Sequence, residues 1–400
     1  MAAVPEKLPF EFLFTPEFSR DPYAVYASLR GQGPIFPIDF PPGFDAYLII
    51  DHEHGRAALN DPRLSKDMQR FGDYFKAVAT EDDILFDSNM LSVDPPDHTR
   101  LRRIVSKAFT PRRVEELRPR VQAITDELID GFEGGAAELI DEFAFPLPII
   151  VICELLGIPS QDRDQFREWS SLLVNPTFVP EEVERRRAAA RATTAYFRRM
   201  CEERRQEPRD DLISALVAME ELTEKELIST LSLLLIAGHE TTVNLIGNGV
   251  LALLRNPDQL DLLRAKPELL PNAVEEFLRY DGPVERSTPR FASEDLEIAG
   301  TRIPRGAMVH VSIGAVGRDP EVFAEPDRLD ITRTDNRHVA FGHGIHFCLG
   351  APLARLEGQI AIGTLLERLP QLALGCAEEE LSRRLTGSVV RGLSQLPVRF

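Results

Sequence analysis

The chain is poor in tryptophan, cysteine and basic residues: its 400 residues carry one Trp, four Cys and 46 Lys+Arg against 64 Asp+Glu. Each shortage excludes something. The most apolar stretch lies around residues 231–238, far short of the roughly 20 apolar residues that cross a bilayer, so no membrane span is expected. Cys153, Cys201, Cys348 and Cys376 form no Cys-x-x-Cys, which argues against a disulfide framework and against a clustered-thiolate zinc site. Reduced cysteines in a cytoplasmic protein are the expectation. The N-terminal MAAVPEKLPFEFLF has two prolines and two acidic residues where an export signal needs a continuous apolar core. A net charge of −18 disfavours nucleic acid, whose phosphates select a basic face. No fixed-period repeat and no Gly-rich dinucleotide fingerprint occurs, and the 30 prolines are dispersed, not gathered into a linker. At roughly 150 residues per domain the length permits two or three, but without a boundary residues 1–400 read as one large domain.

What is present is mostly helical periodicity, over residues 114–132, 165–174, 181–205, 223–254, 271–280 and 353–369. Strand-like runs are few: 46–50, then 296–303 and 308–313 around a Pro-Arg-Gly turn. A mainly α protein with small β-sheets follows. Thr223 and Glu226 have the spacing of a capping box. Nothing breaks the pattern from there to Asn256-Pro257, giving a rod on the order of 48 Å. It is apolar on most sides, so it should run through the interior. Its middle reads Gly238-His239-Glu240-Thr241-Thr242, and an acid with two hydroxyls there carries a desolvation cost that a purely structural rod does not need. The competing reading has Glu240 facing a solvent cavity and the threonines bonding back to carbonyls one turn earlier.

A second segment, Phe341-Gly342-His343-Gly344-Ile345-His346-Phe347-Cys348-Leu349-Gly350, precedes a helical run. Its glycines describe a backbone that turns tightly or is closely approached. A cysteine just before a helix N-terminus is expected to favour thiolate, as a nucleophile or a metal ligand. His343, His346 and Cys348 on one short loop would give zinc poor tetrahedral geometry.

Phe341-x-x-Gly344-x-His346-x-Cys348-x-Gly350 resembles the haem-binding signature of the cytochrome P-450 superfamily of haem-thiolate monooxygenases. Ala237-Gly238-x-Glu240-Thr241-Thr242 looks like that family's oxygen-activating helix motif, and Glu276-x-x-Arg279 like its Glu-x-x-Arg pair. The match looks most like the soluble bacterial branch acting on macrolides and fatty-acid-like substrates. The resemblance implies the cytochrome P-450 fold, with haem b between the long helix and the cysteine loop and Cys348 as axial ligand of the iron. A thiolate there pushes electron density onto iron and favours O–O cleavage. Phe341 would pack beside the haem and Gly350 beside the sulfur. His98, Arg102, Arg290 and His346 match the positions that contact the haem propionates. Glu240 and Thr241 would face O2, Thr241 donating a hydrogen bond and Glu240 relaying protons with water. Glu276 and Arg279 would form a structural trio with Arg328. Gly317 stands before Arg318-Asp319-Pro320 where the family often has Asn, which leaves the local loop open.

The implied activity is insertion of one oxygen atom from O2 into a C–H or C=C bond of a hydrophobic macrolide, fatty acyl or terpenoid/steroid compound. A peroxide-driven peroxygenase or a haem carrier or sensor without turnover are the alternatives. The chain is too short to add a reductase module, so electrons are expected from NAD(P)H through a ferredoxin reductase and a ferredoxin, and a monomer is expected. Residues 100–120 hold eight basic and two acidic residues, and Arg103, Lys107, Arg112 and Arg113 are candidate contacts for an acidic donor. The resemblance places the substrate pocket at residues 68–91, which include Phe71, Phe75 and Phe86, and at Leu234, Ala237, Val284, Thr288, Val389 and Phe178, mostly apolar positions.

Overall fold

The computed structural model describes residues 7–9, 13, 15–39, 44–71, 88–174, 180–383 and 389–400. Its helices of eight residues or more from mid-chain onward are α1 (Asp97–Ala108), α2 (Arg118–Asp130), α3 (Pro146–Leu156), α4 (Arg163–Val174), α5 (Pro180–Gln206), α6 (Glu224–Arg255), α7 (Leu270–Asp281) and α8 (Ala351–Arg368), with a short one at Pro257–Ala265. The expected helix over 114–132 is in fact two, Pro111–Glu116 and α2. Pro119 is the reason: it has no N–H to donate and sits in the first turn of α2, where that donor is not needed. Helix α3 escapes periodicity because its sequence PLPIIVICELL is apolar all round, and most of its side chains are buried.

The capping box forms as expected. The Thr223 hydroxyl accepts from the Glu226 amide, and the Glu226 carboxylate accepts from the Thr223 amide at 2.9 Å. From that start α6 runs 32 residues through the main apolar cluster, which includes Leu231, Leu235, Val243, Leu245, Ile246 and Val250. Helix α3 lies close against it, since a Cβ on Gly238 would come within 3.0 Å of Ile152. Helices α7 and α8 also pack on α6.

The largest sheet has six strands: β1 (Leu8–Pro9), β2 (Ile35–Asp39), β3 (Asp45–Ile49), β4 (Leu64–Ser65), β5 (Arg290–Ala292) and β6 (Met308–Val311), in the order β1-β2-β3-β6-β5-β4. β3 and β6 are parallel; β5 is antiparallel to both β6 and β4. The run 296–303 is a hairpin, Leu296–Ile298 with Thr301–Ile303, because Ala299 and Gly300 both take positive φ and turn the chain one step before the expected Pro-Arg-Gly turn. This sheet brings three distant stretches, near residues 65, 290 and 310, side by side. Among the described residues no helix is long and apolar enough to cross a membrane.

Candidate active site

Helix α6 is buried on nearly every side, yet in its middle Ala237 is exposed and Gly238 and Thr241 are half-buried. Exposure there means that the helix faces an internal space. The Thr241 hydroxyl donates to the Ala237 carbonyl at 3.0 Å, the back-bond expected as the competing reading, which leaves its oxygen lone pairs to accept on the open side. Glu240 is buried, its carboxylate 3.8 Å from Nε2 of His239. His239 Nδ1 donates to the Leu235 carbonyl at 2.8 Å, which leaves Nε2 facing the Ser170 hydroxyl at 3.0 Å.

The cysteine loop is shaped by two glycines. Gly342 and Gly344 have φ of 74° and 75°, and a Cβ on Gly344 would lie 2.0 Å from the Asn60 side chain. The turn returns the Cys348 amide to the Phe341 carbonyl at 2.8 Å. Cys348 itself is exposed, and so are Ile345 and Phe347, at 48% and 41% the two large exposed hydrophobics among the described residues. Apolar surface held out in this way is what a ligand covers. The helix start was expected to favour thiolate; instead the protein around Cys348 pushes the thiol up by desolvation. The Gly350 and Ala351 amides and the Arg102 and Arg355 charges oppose that push without overcoming it. A bound metal cation reverses this balance and deprotonates a coordinating thiol. Phe341 carries the Arg355 guanidinium over its ring at 4.5 Å, and Arg355 is held by Glu275 through bonds of 2.6 and 2.8 Å.

One wall is cationic and short of acceptors. His98 and His346 pack ring to ring at 4.3 Å, and neither ring nitrogen of buried His98 has a hydrogen-bond partner. Arg102 forms no hydrogen bond or ion pair among the described residues and is lowered by burial. Arg290 donates to the Leu59 and Leu64 carbonyls, its Nε is unsatisfied, and burial pulls it down to about 10. His346 is pulled down to about 2, first by burial and then by the charges of Lys66, His98, Arg290 and Arg102. A buried Arg290 N–H and a buried His98 ring left without partners, beside an unpaired Arg102, are costly unless an anion meets them. An apolar disc carrying two carboxylates, with a metal at its centre for Cys348, fits the exposed loop, the open face of α6 and this wall. The His98, Arg102, Arg290 and His346 set expected from the sequence therefore comes together. Lys66 was missed, because nothing in its local sequence distinguishes it from a surface lysine. Among the described residues no group of three or more His, Cys, Asp or Glu is placed to hold a metal alone, so the zinc arrangement of His343, His346 and Cys348 does not form.

Glu276 and Arg279 are fully buried and bidentate, at 2.7 and 2.8 Å. The third member is corrected: Arg333, not Arg328, reaches Glu276, at 3.2 Å. The Arg328 side chain turns out to an exposed pair with Glu325, and only its backbone carbonyl meets Arg279. Gly317 is explained here. Its carbonyl accepts from Arg279 at 2.8 Å, and a Cβ on it would lie 2.6 Å from the Arg279 carbonyl, so Asn would not fit this geometry.

Of the pocket residues, Leu234 is buried, Ala237 exposed and Thr288 half-buried; Val284 is bridged to Val390, which brings Val389 alongside. Phe71 is half-buried and packs with the sheet cluster. Phe75, Phe86 and Phe178 lie outside the described residues.

The family model of cytochrome P450 matches residues 164–374. Over 98% of both chains this protein is 48% identical to "Cytochrome P450 107B1" of Saccharopolyspora erythraea. It is 45% identical, over 96% of this chain and 97% of that one, to "6-deoxyerythronolide B hydroxylase" of the same organism. Among solved structures, a myxobacterial cytochrome P450, CYP267B1, in complex with myristic acid superposes with a TM-score of 0.93 at 44% identity, over 98% of this chain and 99% of that one. The fold and the thiol-and-cation cavity define a haem-dependent oxygenase. The chain belongs to the cytochrome P450 family. It is a haem-thiolate monooxygenase served by redox partners and acting on a hydrophobic small molecule.

Proposed function

We propose that residues 1–400 form one haem b domain, a cytoplasmic monomer that hydroxylates or epoxidises a macrolide, fatty acyl or terpenoid-sized compound with electrons from NAD(P)H through a ferredoxin reductase and a ferredoxin. The overall balance is R–H, O2, two electrons and two protons giving R–OH and water. Haem b in this cavity supplies an iron centre that takes up O2 and transfers one of its oxygen atoms. The observation that carries the reading is the exposed Cys348 near Arg102, a neighbouring His98 and Arg290 with unsatisfied ring and guanidinium nitrogens, and an exposed stretch in the middle of the otherwise buried α6.

Each residue then has a role. Cys348 ligates iron, with the Gly350 and Ala351 amides on its sulfur, and Phe341 steadies the loop. His98, Arg102, Arg290 and His346 take up the two carboxylates, which supply the missing acceptors. Thr241 orients a proton toward the oxygen site, and Glu240 holds the proton behind it, next to His239. Leu234, Ala237, Val284, Thr288 and Val389 bound the substrate. The relatives named as a 6-deoxyerythronolide B hydroxylase and as a complex with myristic acid support an apolar substrate.

Arg103, Lys107, Arg112 and Arg113 are all exposed. They are less free than the net of the 100–120 stretch suggests, since Arg103 meets Glu221 at 2.9 Å and Arg112 meets Glu116 at 2.9 Å. Exposed pairs of this kind are weak and exchange partners readily, so an acidic ferredoxin can still compete for them. Reduction by a ferredoxin should slow as salt rises; a rate indifferent to salt would remove this face as the docking site. The reaction class is tested by the reduced CO complex, whose red-shifted Soret band marks a thiolate-ligated haem. Titration of the ferric protein with macrolides, fatty acids and terpenoids, followed by turnover with a ferredoxin system against peroxide alone, identifies substrate and oxidant.

A further inference from the structure

Lys66 is a buried cation for which the fold alone gives no reason. It follows β4 directly. The antiparallel register pairs Leu64 with Ala292 and Ser65 with Phe291, and one step further sets Lys66 against Arg290. Like charges opposed across a strand pair destabilise it, and burial makes an uncompensated charge worse. Lys66 is 4% exposed and Arg290 6%. The ammonium donates to the Thr288 hydroxyl at 2.5 Å and the Pro289 carbonyl at 2.9 Å, both neutral acceptors. Its third N–H has no protein acceptor among the described residues, and neither Lys66 nor Arg290 forms an ion pair among them. The carboxylate of Asp94, which acts on Lys66, is turned to the Lys66 backbone amide at 2.9 Å and to the Ser65 hydroxyl.

Burial and the repulsion of Arg290 disfavour the charge on Lys66, burial disfavours it on Arg290, and the carboxylates that act on them, Asp94 on both and Asp61 on Arg290, form no ion pair with either. A cofactor carboxylate between Lys66 and Arg290 would supply the ion-pair partner that both lack. We propose that Lys66 is a cofactor-anchoring residue, whose ammonium, held by Thr288 and Pro289 opposite Arg290, binds a haem carboxylate. The inference rests on haem occupying this cavity. The opposed cations are then mutually shielded by the anion they share, and the strand pairing is relieved of their repulsion.

The test uses the holoenzyme loaded with haem or with its dimethyl ester, which cannot carry the carboxylate charge. Loss of haem to excess apomyoglobin is timed for wild type, Lys66→Met and Lys66→Arg. With haem, Lys66→Met should lose the group about tenfold faster, the size of one hydrogen bond to a charged group, and Lys66→Arg should stay within about threefold of wild type. With the ester, the difference between wild type and Lys66→Met should shrink below about twofold. If Lys66 only tethers the Thr288-Pro289 turn, Lys66→Met speeds loss by the same factor for both cofactors, and the proposal falls. Should Lys66→Met give no holoprotein, Lys66→Gln carries the same comparison. As a second readout, removing a buried cation favours the ferric form by about threefold, about 28 mV at 59 mV per tenfold; an unchanged potential counts against the proposal. Absence of any haem complex in the wild type would instead overturn the reading of the cavity.

Discussion

Thr241 spends its proton on the Ala237 carbonyl at 3.0 Å in this structure. To act on oxygen it must turn that proton toward the cavity, a rotation about one side-chain bond that leaves α6 unchanged, because the carbonyl also serves the helix. Thr241→Ala removes the proton donor without removing Glu240. Positioned proton transfer contributes about 10²–10⁴-fold, so the ratio of product to hydrogen peroxide should fall at least about tenfold while NAD(P)H is still consumed. Tightly coupled product formation in Thr241→Ala would end this role. At Cys348 the surroundings disfavour a free thiolate, so the apoprotein thiol should react slowly with alkylating reagents at pH 7 and Cys348→Ser should abolish the red-shifted CO band. Residues of this kind were legible because their chemistry is written over ten consecutive positions, with Gly342 and Gly344 marking where the chain must take positive φ. Lys66 was not, since its significance depends on Arg290, 224 positions away, lying in the adjacent strand.

At the scale of elements, α7 is tied to the irregular chain after it by Arg279, which donates to the carbonyls of Gly317, Pro326 and Arg328 while held by Glu276. Glu276 in turn accepts from the Asp330 amide, the Asn336 amide group and Arg333. Removing one partner of a buried pair strands the other, at about 3–5 kcal/mol. Glu276→Ala should therefore lose most of its soluble holoprotein. Arg333→Ala should shift the urea midpoint clearly, and Arg328→Ala should stay within about 0.5 kcal/mol, because its partner Glu325 is as exposed as it is. Equal losses in Arg328→Ala and Arg333→Ala would mean that Arg333 is not the arginine that completes the Glu276–Arg279 cluster. The sequence could not separate the two arginines, which lie five positions apart in a stretch with no helical or strand period. Helix α6 was readable to within a residue at each end because a capping box and Asn256-Pro257 bound it. Helix α3 was not, having no polar face to give it a period.

Over the whole molecule the acidic surplus of 18 charges is a property of the surface, and the sheet end of the interior is its opposite. His310 lies there on β6, with Nδ1–H donated to the Ser287 carbonyl at 3.0 Å. Burial first, then the charges of Arg286 and Lys66, pulls it down to about 4. In the unfolded chain its imidazole titrates near the usual value of about 6.5. Between these two values the unfolded chain takes up a proton that the native chain declines, so stability is complete above about pH 6.5 and falls as pH drops toward 4. The slope is about 1.4 kcal/mol per pH unit, on the order of 3 kcal/mol across the window. Other carboxylates and histidines titrate in the same range, so the expected observable is a difference. Urea midpoints of wild type and His310→Gln, measured at pH 7, 6 and 5, should diverge, with the wild type losing more as the pH falls, by about one proton's slope. Parallel curves would mean that His310 accepts its proton in place, and that the cations around it are already neutralised by an anion bound beside Lys66.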